Sequence, residues 1–331
     1  MRKINLKYVV KSGEQFAGDL KKIISVFTSD SDVHLEINLF MGDVDCTTIK
    51  QVIDGIAKCK TFKDIHNENI YTFILTISPK TDIFKSILKI KNLITRIDLV
   101  YENNKLDKFL LMAVKKKLPC NIVIRESAVE KIYELYKRIS KYGYPIHTDS
   151  QIEYDGTYKR LLNDWIYDKN GSRLNIFTDV LSRILLDYWG TKCQYKSCIT
   201  KYFSVDNRNG KIYACKDNEV EICDLAEIES LQDIYSKEPF IELLKSSIVK
   251  REKCSKGCGH FAICLGGCAL KSKEEIEECK DKLLFSIIDD PTCQIKKIVN
   301  DGDYSELNPA FRDMILSSLS SNKVFEKGLV L

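Results

Sequence analysis

The sequence predicts an α/β protein: six strands alternating with helices in a parallel sheet, open or partly closed as a barrel, followed by a small cysteine-rich α+β domain. Three observations predict it. Short, β-branched apolar runs recur through the first 150 residues. Helical apolar patterns lie between them. Ten of the thirteen cysteines fall between 193 and 293, where the strands become short.

The strand-like runs are Ile4 to Val10, Val33 to Phe40, Ile70 to Ile77, Thr95 to Tyr101, Cys120 to Ile124 and Tyr144 to Thr148. Thr47 to Lys58 reads as a helix, because Ile49, Val52, Ile53 and Ile56 recur at helical spacing. Ala128 to Tyr142 reads the same way through Val129, Ile132, Leu135, Tyr136 and Ile139. Six strands are too few for a complete eight-stranded barrel. Residues 151–190 read as a helical bridge anchored by Trp165, Leu181, Ile184 and Leu185. Turn signals such as Asp206-Asn207-Arg208-Asn209-Gly210 then mark a change of grammar. The expected division is 1–150, 151–190, 191–300 and a helical tail over 301–331.

The chain has 51 basic and 47 acidic residues, a net charge of +4. That balance lacks the basic excess of a nucleic-acid groove. Met1-Arg2-Lys3 leads into an apolar run too short for a secretory signal, and no uninterrupted apolar stretch is long enough to span a membrane. A cytoplasmic location is expected. Thiols are kept reduced there, so thirteen cysteines point to metal ligation rather than disulfides.

The densest group is Cys254-x3-Cys258-x5-Cys264-x3-Cys268, preceded by Cys198-x11-Gly210-x4-Cys215. Thiolates three to five residues apart on a loop can converge on one inorganic centre. Soft thiolates suit iron–sulfur clusters, zinc or Cu(I). Spacings of three, five and three suit paired zinc knuckles less well than iron–sulfur clusters. Gly266 and Gly267 beside Cys268 allow backbone amides to approach cluster sulfurs. Cys46, Cys59 and Cys120 are isolated and read as core or incidental thiols.

The spacing resembles the SPASM domain, the auxiliary-cluster domain of radical S-adenosylmethionine enzymes that modify peptides and proteins. Cys198, Gly210, Cys215, Cys258, Cys264, Cys268 and Cys293 match its pattern, as do the Gly-Gly-Cys and Asp290-Pro291-Thr292-Cys293 steps. Cys254 and Cys258 are separated by three residues where the family has two. The resemblance implies two [4Fe–4S] clusters. Cys193, Cys198, Cys215 and Cys268 would hold one, and Cys254, Cys258, Cys264 and Cys293 the other. Cys279 is the alternative last ligand, and Cys223 is left over. Upstream, the six strand–helix units resemble the family's partial (β/α) barrel, and Leu39-Phe40-Met41-Gly42-Asp43-Val44 stands where the family has a Gly-Gly-Glu-Pro step, with one glycine kept, Asp43 at the glutamate position and Val44 at the proline position.

The family also ligates a catalytic cluster through C-x3-C-x2-C after its first strand. Here that stretch is Lys11-Ser12-Gly13-Glu14-Gln15-Phe16, and the first cysteine of the chain is Cys46. Without three thiolates there is no open iron for the cofactor to chelate, so S-adenosylmethionine is not expected to be cleaved. The resemblance therefore implies a degenerate member: a protein of a peptide-modification system that binds a substrate peptide or assists a radical S-adenosylmethionine enzyme of the same pathway. An electron-transfer protein, or a non-radical enzyme whose auxiliary cluster binds a substrate thiolate, are the alternatives.

Overall fold

The computed structural model describes residues 2–30, 32–41, 44–58, 71–101, 105–124, 129–148, 156–169, 171–186, 199–215, 220–257, 261 and 295–320. The chain forms two compact units. The first combines Met1–Asn121 with Ser197–Val249, and the second combines Ile122–Lys196 with Lys250–Leu331.

The described residues form nine strands, most of them paired in parallel. Seven lie in the first unit: β1 (Arg2–Val9), β2 (Val33–Met41), β3 (Tyr71–Ile77), β4 (Ile94–Val100), β7 (Tyr202–Asp206), β8 (Lys211–Ala214) and β9 (Val220–Asp224). Their order is β4-β3-β2-β1-β7-β8-β9. The N-terminal strands follow the predicted runs to within about two residues, the usual scatter at element ends. β5 (Cys120–Ile124) starts in this unit, where Ile97 donates its N–H to the Pro119 carbonyl at 2.8 Å.

Alternation explains the strands. In β1, Ile4, Leu6 and Tyr8 are buried, while Lys3, Asn5 and Lys7 point to the other face. Helix Phe16–Phe27 covers the apolar face with Phe16, Leu20, Ile23, Val26 and Phe27, one stripe at helical spacing. The Phe16 and Tyr8 rings meet edge-on at 5.8 Å, and Phe27 meets Phe203 of β7 at 5.5 Å. Helix Cys46–Lys58 buries Ile49, Val52, Ile53 and Ile56, the face its periodicity predicts. Asp45 starts that helix by accepting the Thr48 N–H at 2.6 Å, which holds the Asp45 carboxyl below its ordinary pKa.

β7 runs parallel to β1, with Asn5 opposite Tyr202 and Val9 opposite Asp206. The first strand of the cysteine-rich region thus extends the N-terminal sheet. β8 and β9 continue it antiparallel.

In the second unit, β5 pairs in parallel with β6 (Ile146–Thr148). Asn175 closes the end of β6 by accepting the Thr148 N–H at 2.9 Å and donating to the Thr148 carbonyl at 3.2 Å. The helix Val129–Ile139 buries Ile132, Leu135, Tyr136 and Ile139, then tightens to a 3-10 turn over Ser140–Tyr142. Trp165, from helix Gly156–Ile166, packs 5.3 Å from Phe177 of helix Asn175–Leu186. It lies 6.2 Å from Phe311 of helix Pro309–Ser320. Its indole N–H donates to the Ser172 carbonyl at 3.0 Å, so the largest side chain of this core leaves no polar atom unpaired. Among the described residues, no helix is long and apolar enough to cross a membrane.

Candidate functional site

In the first unit's sheet one face is apolar, and the other mixes polar side chains with Val9, Phe40 and Ile74. In-register pairing aligns Asn5 with Glu36 and Thr72, and Lys7 with Asn38. Further along, Thr76 aligns with Asp98. These groups bond across strands. Lys3 Nζ lies 2.9 Å from Glu36 Oε2, Thr76 Oγ1 donates to Asn38 Oδ1 at 2.8 Å, and His34 Nε2 meets Thr72 Oγ1 at 3.1 Å. Arg96 grips Asp98 with two bonds of 2.7 and 3.0 Å. Burial works against the Arg96 charge, but the paired carboxylate prevails and holds its pKa above the ordinary value. The polar side chains of this face are thus largely paired with one another.

The C-terminal end of β1 is closed by a buried network. Asn207, in the turn after β7, donates from Nδ2 to Tyr8 Oη at 2.7 Å and to Asp19 Oδ2 at 2.9 Å. Tyr8 itself donates to Asp19. Burial and this carboxylate push the Tyr8 hydroxyl far above its ordinary pKa, so it stays protonated. Asn207 Oδ1 accepts the Ser12 N–H at 3.0 Å and the Lys11 N–H at 3.4 Å. Gly13 lies so close to Gln51 that a Cβ there would come within 2.1 Å of Gln51 Oε1. The loop that carries no cysteine is thus held by side chains. The sequence marks Asn207 only as a turn residue. Its buried role depends on Tyr8 and Asp19, far away in the chain, and no local signal reveals it.

Beyond that turn, Gly210 has a φ of 66° and accepts the geometry of the β7–β8 hairpin, its N–H donating to the Asp206 carbonyl at 2.9 Å. Cys215 ends β8 with a φ of 79°, rare for a residue with a side chain. It is buried, its N–H donates to the Tyr202 carbonyl at 3.0 Å, and its carbonyl accepts the Ser204 hydroxyl at 2.6 Å. Cys254 lies partly exposed in helix Glu238–Gly257. Cys193, Cys198, Cys258, Cys264, Cys268 and Cys293 lie outside the described residues, as do Cys59, Cys279, Gly42 and Asp43. Among the described residues, no three His, Cys, Asp or Glu side chains gather as a metal-binding group. Two thiols are core groups: burial pushes Cys120 up to about 12 and Cys223 up to about 11.

No family model matches the sequence, and no curated protein matches it. Solved structures do match in fold. Native anSMEcpe with bound AdoMet and the Cp18Cys peptide aligns with a TM-score of 0.61 at 14% identity, over 100% of both chains. Histidine-tagged anSMEcpe with bound AdoMet aligns at 0.60 and 14%, over 99% of this chain and 98% of that one. Native anSMEcpe with AdoMet and the Kp18Cys peptide aligns at 0.58 and 14%, over 98% and 100%. At this identity the likeness is one of fold alone.

Proposed function

We propose that this chain is an iron–sulfur protein of a peptide-maturation system. It has a radical-S-adenosylmethionine-like fold, carries two [4Fe–4S] clusters in a SPASM-like segment over about residues 191–300, and lacks the cofactor-cleaving cluster. It binds a substrate peptide or assists a radical S-adenosylmethionine enzyme in the cytoplasm.

The observation that carries this reading is Cys215. A non-glycine residue held at positive φ is an uncommon and costly feature, and such residues gather at functional sites. Here it sits at the end of the Gly210-x4-Cys215 step, where the SPASM pattern requires a ligand. The donor set fits the clusters: eight cysteines, soft thiolates at short spacing, with Cys193, Cys198, Cys215 and Cys268 on one and Cys254, Cys258, Cys264 and Cys293 on the other. When bound, clusters of this kind supply one-electron transfer. The loop after β1 does not fit a third cluster. Residues 11–16 contain no thiolate, and the two backbone amides at the start of the loop already bond Asn207. No step of S-adenosylmethionine cleavage is assigned to this chain.

The polar sheet face supports the peptide partner. Asn5 and Asn38 lie on that face with amide groups that can meet a peptide, and anSMEcpe, alike in fold, has been solved with bound peptides. The test is anaerobic reconstitution, with about eight irons and eight sulfides expected per chain. Stoichiometric zinc in place of iron and sulfide would overturn the assignment.

A further inference from the structure

We propose that Asn207 is a positioning residue that latches the loop after β1 to the β7–β8 hairpin, so that the order of residues 11–16 follows the state of the hairpin. Asn207 is only 6% exposed. Its Oδ1 takes the Ser12 and Lys11 amides at 3.0 and 3.4 Å, and its Nδ2 reaches Tyr8 Oη and Asp19 Oδ2 at 2.7 and 2.9 Å. Its own backbone N–H donates to the Val9 carbonyl at 3.3 Å. A carboxamide is the group that does this. It presents an acceptor to the loop and donors to Tyr8 and Asp19 at once. An aspartate in its place would keep the acceptor, lose the donors and set a second carboxylate against Asp19.

Among the described residues, the loop has little else in backbone bonding. Glu14 donates its N–H to the Ser12 hydroxyl at 3.2 Å, a bond within the loop. The loop's far end is fixed by Phe16, buried beneath Gly55, where a Cβ would come within 2.9 Å of the Phe16 ring. Among the described residues, the start of the loop is therefore held through Asn207. Asn207 depends in turn on the hairpin, whose turn runs from Asp206 to Gly210 and whose second strand ends at Ala214, just before Cys215. Strain in this hairpin reaches Ser12 most directly through the Asn207 carboxamide, beside the β1–β7 pairing that ends at Val9 and Asp206. The inference does not require iron at Cys215, so its failure and that of the functional reading are separate results.

Backbone amide exchange on the full chain, without added iron, tests it. Asn207→Ala should speed exchange at Lys11 and Ser12 by about tenfold, with β2 and β3 unchanged. Tyr8→Phe keeps the ring in the core and removes one partner of Nδ2. It should speed the same amides by about threefold, and it carries the test if Asn207→Ala does not fold. Gly210→Ala acts only on the hairpin backbone, since nothing lies within 4 Å of the added Cβ. It should also speed exchange at Ser12. Unchanged Ser12 exchange in Gly210→Ala would overturn the coupling. Unchanged Lys11 and Ser12 in Asn207→Ala, or in Tyr8→Phe where it stands alone, would overturn the latch. Uniform acceleration through β1 to β4 would also overturn it, marking Asn207 as a general support of the sheet.

Discussion

Gly210 and Cys215 bound the same four-residue strand, and both hold left-handed backbone, with φ of 66° and 79°. The glycine adopts it at no steric cost, whereas the cysteine stores strain of about 1 kcal/mol or more. Cys215→Gly relieves that strain but also removes a buried thiol, so the metal-free protein should change by no more than about 1 kcal/mol in urea unfolding. The same substitution should cost the reconstituted protein about four of its eight irons. Retention of all its iron would show that Cys215 is not a ligand.

Gly210→Ala should destabilise by about 1 kcal/mol. Open space surrounds the added methyl, so the loss comes from the backbone alone. A shift in urea midpoint with an unchanged slope is the expected signature.

Gly171 and Tyr136 form a tighter pair in the second unit. A Cβ on Gly171 would lie 2.1 Å from Tyr136 Oη, whose hydroxyl donates to Asp168 at 2.6 Å. Gly171→Ala should destabilise by about 2 kcal/mol through overpacking. Tyr136→Phe removes the clashing oxygen, so the double variant should recover part of the loss. Additive losses in a double-mutant cycle would reject the clash as the cause.

The sequence reads well where structure is local. Apolar, β-branched runs placed the six N-terminal strands, and helical spacing placed Ile49, Val52, Ile53 and Ile56 on one buried face. Gly210 and Cys215 stood out through a spacing that one hairpin turn and one strand explain. Pairing between β1 and β7 was not legible, because Asn5 and Tyr202 carry no mark of each other. For the same reason the Tyr8–Asp19–Asn207 network was invisible: each residue alone reads as a core tyrosine, a helix-surface acid or a turn. The structure brings together no predicted set of four ligands, since six of the eight lie outside the described residues.

Cys120 should behave as a core residue. Its thiol, pushed up to about 12 by burial and by nearby Asp98, remains protonated at neutral pH. Native protein should resist alkylation there at about pH 8, while unfolded protein reacts readily. Cys120→Ser should destabilise by about 1–2 kcal/mol more than Cys120→Ala, because it buries a hydroxyl. Neither should change the iron content. Iron loss in Cys120→Ala, with the fold intact, would bring this thiol into the ligand set.

The sharpest expectation concerns S-adenosylmethionine. Reductive cleavage needs an iron with a vacant position, bound by three thiolates close to the cofactor. Lys11 to Phe16 supply none, and the Lys11 and Ser12 amides there are committed to Asn207. Reduced, fully reconstituted protein should form no 5′-deoxyadenosine above a control without protein, with or without a peptide. Removing the latch should not change this, because Asn207→Ala frees two amides but adds no thiolate. Multiple turnovers of that product would mean that one of the C-terminal clusters has an open iron and has taken over the chemistry. Loss of the product in Cys215→Ala, or in Cys264→Ala, would then identify which one.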